Sequence, residues 1–126
     1  MAVKDKYANV LALGEQLGVA NGRVEESNGI LRVWGTVQYG HEKDQLWDAI
    51  KAIGGSNPTD IVADIQIANP GVYAMHTVKK GESLSKIAKH YYGDMMKYKQ
   101  IFNANRNILS DENVIEVGQV LTIPNP

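Results

Sequence analysis

The sequence predicts an α+β fold made of two small modules, the first ordered αββαβ and the second βααβ. Three observations carry this expectation. Apolar residues recur every three or four positions in some stretches and every second position in others, so helices and strands are interleaved. Asn28-Gly29 sits between two strand-like runs and signals a tight type I′ hairpin turn. Asn69-Pro70-Gly71 interrupts any regular structure, because a proline pushes the residue before it away from the helical region. The modules are then residues 1–68 and 72–126, with 69–71 as the linker.

The first module opens with a helix. Val3, Tyr7, Val10, Leu11, Gly14 and Leu17 fall on one face, and Gly18 can end it. The hairpin follows, with strands at Arg23 to Glu26 and Ile30 to Val37, the second burying Leu31, Val33 and Val37 on a shared side. A second helix runs from about His41 to Ile53, with Leu46, Ala49, Ile50 and Ile53 as its stripe and Gly54-Gly55 as its end. Ile61 to Ile67 completes the module as a third strand. In the second module a strand near Tyr73 to Val78 leads to Ser83, a helix N-cap. Leu84, Ile87, Ala88 and Tyr91 form the stripe of the next helix, and Gly93 ends it. Asp94 caps a second helix that turns Tyr98, Ile101 and Phe102 inward, and Val120 to Ile123 is the last strand.

Composition narrows the functional classes. The chain has 126 residues, 44% hydrophobic and 21% charged, with a net charge of −1, as for an ordinary globular protein. The charge is uneven. Residues 1–69 hold six Lys and Arg against nine Asp and Glu, a net −3, and residues 70–126 hold seven against five, a net +2. Neither half has the concentrated basic stripe of a nucleic-acid platform. There is no Cys, which excludes thiolate metal sites, thiol catalysis and disulfides. No stretch is long enough to be a membrane span. Met1 to Lys6 carries charges where an export signal needs an apolar core, so a cytoplasmic location is expected, with the cell envelope as the alternative for a trimmed chain.

Catalytic signatures are missing. His41, His76 and His90 lie in different elements without metal-ligand spacing. Glu25 and Glu26 are neighbours on a strand and point to opposite faces. No nucleophile triad or phosphate-binding loop is present. The expectation is a non-enzymatic binding protein without an organic cofactor.

Two resemblances give that expectation content. His76-Thr77-Val78-Lys79-Lys80-Gly81-Glu82-Ser83-Leu84, followed by Ile101-Phe102-Asn103-Ala104-Asn105 and Gly118-Gln119-Val120-Leu121, resembles a LysM domain. His76 stands where such strands usually carry Tyr, and Val117 where Pro is common. Gly29 to Val37, leading into a helix and a final valine-isoleucine strand, resembles a BON domain. Together they make the chain similar to the tandem BON–LysM family of bacterial cytosolic potassium-binding proteins. The LysM resemblance implies a glycan groove lined by Gly81, Glu82, Ser83, Leu84, Asn107, Ile108 and Leu109, for peptidoglycan or chitin-type sugars. The same residues also have plain roles as turn, cap and core. The tandem resemblance implies a potassium ion bound by the first module, with the LysM module docked on it. An adaptor between proteins is the third reading.

Potassium is large and weakly hydrated and suits a cage of carbonyl oxygens. A helix C-terminus offers unpaired carbonyls and partial negative charge. Ala52, Ile53, Gly54 and Gly55 form such an end in the acidic module, and are the expected ligands through their main-chain oxygens. An ordinary glycine C-cap is the alternative for the same four residues.

Overall fold

The computed structural model describes residues 2–126 and divides into two compact units, one ending at Pro70 and one spanning Gly71–Pro126. In the first unit, helices α1 (Val3–Lys6) and α2 (Ala8–Gln16) precede strands β1 (Ala20–Ser27) and β2 (Ile30–Val37), helix α3 (Gly40–Gly54) and strand β3 (Ile61–Ile67). The sheet order is β1-β2-β3. β1 and β2 are antiparallel across a turn in which Asn28 and Gly29 take φ of 55° and 75°, as a type I′ turn requires. β2 and β3 run parallel, from Leu31 opposite Ile61 to Val37 opposite Ile67, and α3 is the crossover that parallel pairing needs. Glu42 starts α3 by accepting the N–H groups of Gln38 and Tyr39, both at 3.1 Å.

One buried cluster holds this unit together: Tyr7, Val10, Leu31, Val37, Leu46, Ile50, Ile61 and Ile65. Here the structure corrects the expected single N-terminal helix. The helix breaks at Tyr7, whose φ and ψ are −102° and 20°. The break lets the Tyr7 ring sink fully out of solvent, and its hydroxyl donates to Asp60 Oδ1 at 2.5 Å. β1 is also longer than Arg23 to Glu26. It begins at Ala20, passes through a bulge between Ala20 and Arg23, and places Asn21 at φ 55°.

The second unit pairs β4 (Ala74–Thr77) antiparallel with β5 (Val120–Ile123). Between them lie α4 (Leu84–Tyr92), a 3-10 turn (Met95–Lys97) and α5 (Tyr98–Ala104). Ser83 Oγ accepts the Lys86 N–H, and Gly93 closes α4 in the left-handed conformation at φ 74°. Asp94 accepts the Met96 N–H, so it caps the 3-10 turn rather than α5 itself. Leu84, Ile87, Ala88, Ile101, Leu109, Leu121 and Ile123 form the core. Each large side chain there contributes roughly 1.5–3 kcal/mol by leaving water. Buried Asn105 fastens α5 to β5. Its amide donates to the carbonyls of Ile101 and Thr122, and its oxygen accepts the Thr122 N–H at 2.8 Å. No helix among the described residues is long and apolar enough to cross a membrane.

Candidate functional site

Two places answer to the sequence-predicted residues, one in each unit. In the first, α3 ends at Gly54, and Gly55 follows with φ 85° and ψ 178°. The Gly55 N–H closes the helix on the Lys51 carbonyl at 2.9 Å. Among the described residues no backbone N–H outside the helix reaches the carbonyls of Ala52, Ile53 or Gly54. Six residues, Gly55 to Asp60, then pass without helix or strand before β3. Oxygen ligands are thus to hand at this end, and the conformation of Gly55, essentially closed to other residues, sets where they point.

The two glycines have separate reasons. Gly54 does not take a positive φ, so the expectation that both glycines serve to turn carbonyls is corrected. A side chain at Gly54 would collide with the Tyr7 hydroxyl and come within 2.9 Å of Pro58 Cβ, so Gly54 is a packing glycine. The Tyr7 hydroxyl links this helix end to Asp60, whose other oxygen pairs with Lys6 Nζ at 2.6 Å. Burial, reinforced by the hydrogen bond to Asp60, pushes the Tyr7 phenol up to about 12. Hydrogen bonds from Lys6 and then Tyr7 hold the Asp60 carboxyl below the usual range. The sequence stripe put Tyr7 on the core face but carried no signal that its hydroxyl would end at Asp60.

In the second unit a cleft of about 250 Å³ is lined by Glu82, Ser83, Leu84, Ser85, Tyr98, Glu112, Asn113 and Ile115. It contains three of the seven expected groove residues. Gly81 stands next to it at φ 84°, its carbonyl taken by Lys86 Nζ at 3.0 Å. The opposite wall differs from the expectation. Leu109 is buried in the core, Ile108 and Asn107 are exposed, and none of the three lines the cleft. The reason is local. The N–H groups of Ile108 and Leu109 both bond back to the Asn105 carbonyl, winding the chain into a turn that drives Leu109 inward. Residues 112–115, further along the loop, supply the wall instead. Leu84 is only 2% exposed, so packing is its main role.

His76 is more than a strand-edge substitute. Its Nδ1 lies 2.9 Å from the Tyr91 hydroxyl and its Nε2 2.9 Å from Glu82 Oε1. Glu82 also accepts the Lys79 N–H at 2.6 Å. Burial raises the Glu82 pKa, but the bonds from His76 and Lys79 outweigh it and hold the carboxyl below the usual range. Glu82 is therefore anchored as a charged cleft residue. Among the described residues no group of three or more His, Cys, Asp or Glu could hold a metal ion.

Residues 76–124 match the family model of the LysM domain. The second unit carries a LysM domain. The cleft beside Ser83 lies within that LysM segment, as does the His76 network. The chain is also 56% identical over 50 residues to an uncharacterized protein of Deinococcus radiodurans, covering 40% of this chain and 19% of that one. It is 36% identical over 83 residues to the potassium binding protein Kbp of Escherichia coli O6:H1, covering 65% of this chain and 54% of Kbp. The chain thus spans about a fifth and about half the length of these two relatives.

Proposed function

We propose that this chain is a non-enzymatic binding protein whose first unit, BON-like in element order, takes a potassium ion at the C-terminal end of α3. The observation that carries the reading is the helix end itself. The carbonyls of Ala52, Ile53 and Gly54 lack backbone N–H partners, and Gly55 holds a conformation that aims them. Carbonyl dipoles suit potassium. The net −3 of residues 1–69 adds a long-range attraction for cations. Similarity to a protein named for potassium binding supports the choice of ion.

The test is a thermal melt in potassium chloride against sodium chloride at equal ionic strength. An ion present at ten times its Kd stabilises the bound unit by about 1.4 kcal/mol, a rise of ~6–11 °C for a domain of this size. Simple screening of charge responds to both salts alike. Equal shifts in the two salts would remove the potassium reading.

A second reading is favoured by a separate observation. The cleft of about 250 Å³ in the LysM unit combines the Tyr98 ring and Ile115 with Glu82, Ser83 and Asn113, the mixture of apolar cover and hydrogen-bonding groups that an N-acetylated sugar needs. Chitin oligomers titrated into the protein should shift the amide signals of residues 82–85 and 112–115. Shifts confined elsewhere, or none, would leave the cleft without this role.

A further inference from the structure

The largest cavity in the first unit is away from the end of α3. It is a half-open crevice of about 350 Å³ between α2 and the β1–β2 hairpin. Its floor is apolar: Val10, Val33, Leu46, Ile50 and Ile65. Its width comes from three glycines, Gly14, Gly22 and Gly35, which all line it. At Gly35 a side chain would run into Val19, so the hairpin keeps a glycine where helix and strand come closest. At the mouth, the β1 bulge and the left-handed Asn21 bend the edge strand.

We propose that this crevice binds a compact, uncharged apolar molecule about the size of a bicyclic aromatic. Three features select that class. The volume lies at the small end of ligand pockets, which begin at about 300 Å³. It is roughly twice the ~150 Å³ of a cavity known to hold benzene. The rim carries both signs, Lys4 and Arg23 against Glu15, and Arg23 is already paired with Glu25 at 2.9 Å while lying 5.0 Å over the Trp34 ring. A charged head group therefore gains nothing net there, and the crevice rewards apolar surface alone. Water in it meets few polar partners, so its release favours an apolar guest.

Indole, indole-3-acetate and tryptamine share one apolar body and carry zero, negative and positive charge. Each is titrated into the full chain and followed by amide shifts and calorimetry. Indole should bind, moving the signals of Gly14, Gly22 and Gly35, and should bind at least as tightly as either charged homologue. Gly14→Leu fills the crevice from α2, where an added Cβ meets Val19 at an ordinary 3.6 Å. It should weaken indole at least tenfold and leave the melting temperature unchanged or higher. Gly22→Leu, at a position with open space around it, should weaken indole in the same way. The proposal is overturned by no indole binding at its solubility limit. It is equally overturned by shifts that avoid the three glycines, by a charged homologue binding tenfold tighter, or by full affinity in a folded Gly14→Leu or Gly22→Leu protein. Should both variants fail to fold, the shift map and the charge series on the unsubstituted chain decide alone.

Discussion

Two helices in this molecule end on a glycine, and the two ends have opposite fates. In α4, Gly93 takes φ 74° and ψ 6°, its N–H bonds to the Lys89 carbonyl, and Asp94 at once caps the next turn. In α3, Gly55 makes the equivalent bond to Lys51 but takes φ 85° and ψ 178°, and an irregular segment follows. The first end is absorbed by the structure after it. The second stays open. A glycine cap alone is therefore no sign of a site; what decides is whether the following residues turn back on the carbonyls or lead away from them.

The largest expected effect separates packing from ligation at the open end. Gly54→Val should destabilise the first unit by about 3 kcal/mol, because the new side chain displaces the Tyr7 hydroxyl and crowds Pro58. Denaturant unfolding should show this loss equally in potassium and sodium. A loss seen only in potassium would mean that Gly54 acts through the ion. Next comes the pair of caps. Gly55→Ala places a side chain in a conformation that is nearly glycine-only and should cost about 1–3 kcal/mol. Gly93→Ala, in the commoner left-handed region, should cost about 1 kcal/mol. Only Gly55→Ala should also abolish the potassium-dependent rise in melting temperature. If both variants keep the rise, the ion site is not at the end of α3.

A smaller effect contrasts two tyrosines. Burial raises both Tyr7 and Tyr92 from 10.0 to about 12, but Asp60 contributes only at Tyr7. A raised phenol pKa favours folding below the unfolded value, and that contribution is lost as pH climbs from about 10 through about 12. Each unit should therefore weaken across that window. Tyr7→Phe should flatten the alkaline limb of the first unit only, and Tyr92→Phe that of the second only. Unfolding curves that are flat between pH 10 and 12 would contradict the burial of both hydroxyls. The smallest effect belongs to Lys6→Gln. The Lys6–Asp60 pair is substantially exposed, and such pairs add little. Its melting temperature should barely move at neutral pH, with the difference from the parent vanishing as Asp60 is protonated in acid.

These contrasts show where the sequence was readable. β2, β3 and β5 have the bounds that alternation and turn residues predict, because each strand is flanked by local punctuation. Ser83 and Gly93 cap α4 as expected, since capping depends on neighbours within one turn. The break at Tyr7 was not readable. Tyr7 satisfies the helical stripe whether or not the helix continues through it, and its decisive partner, Asp60, is 53 residues away. The cause of Gly54 was hidden for the same reason. The far wall of the LysM cleft was missed because Asn105 redirects the loop after α5, and its partner Thr122 is 17 residues further on. Local rules placed the near wall, Glu82 to Leu84, and distant contacts chose the far one.

The pairing of β4 with β5 has a consequence for the order in which the chain is made. The first unit has its last strand in hand once Ile67 has emerged from the ribosome. The second is closed by its two extremities, Ala74 opposite Ile123 and Thr77 opposite Val120. Until those last residues appear, Leu121 and Ile123 are absent from its core, Asn105 has no strand to fasten, and the Tyr92 hydroxyl has no Pro124 carbonyl. Synthesis therefore divides this chain into a unit that can mature while elongation continues and one that matures only near its end.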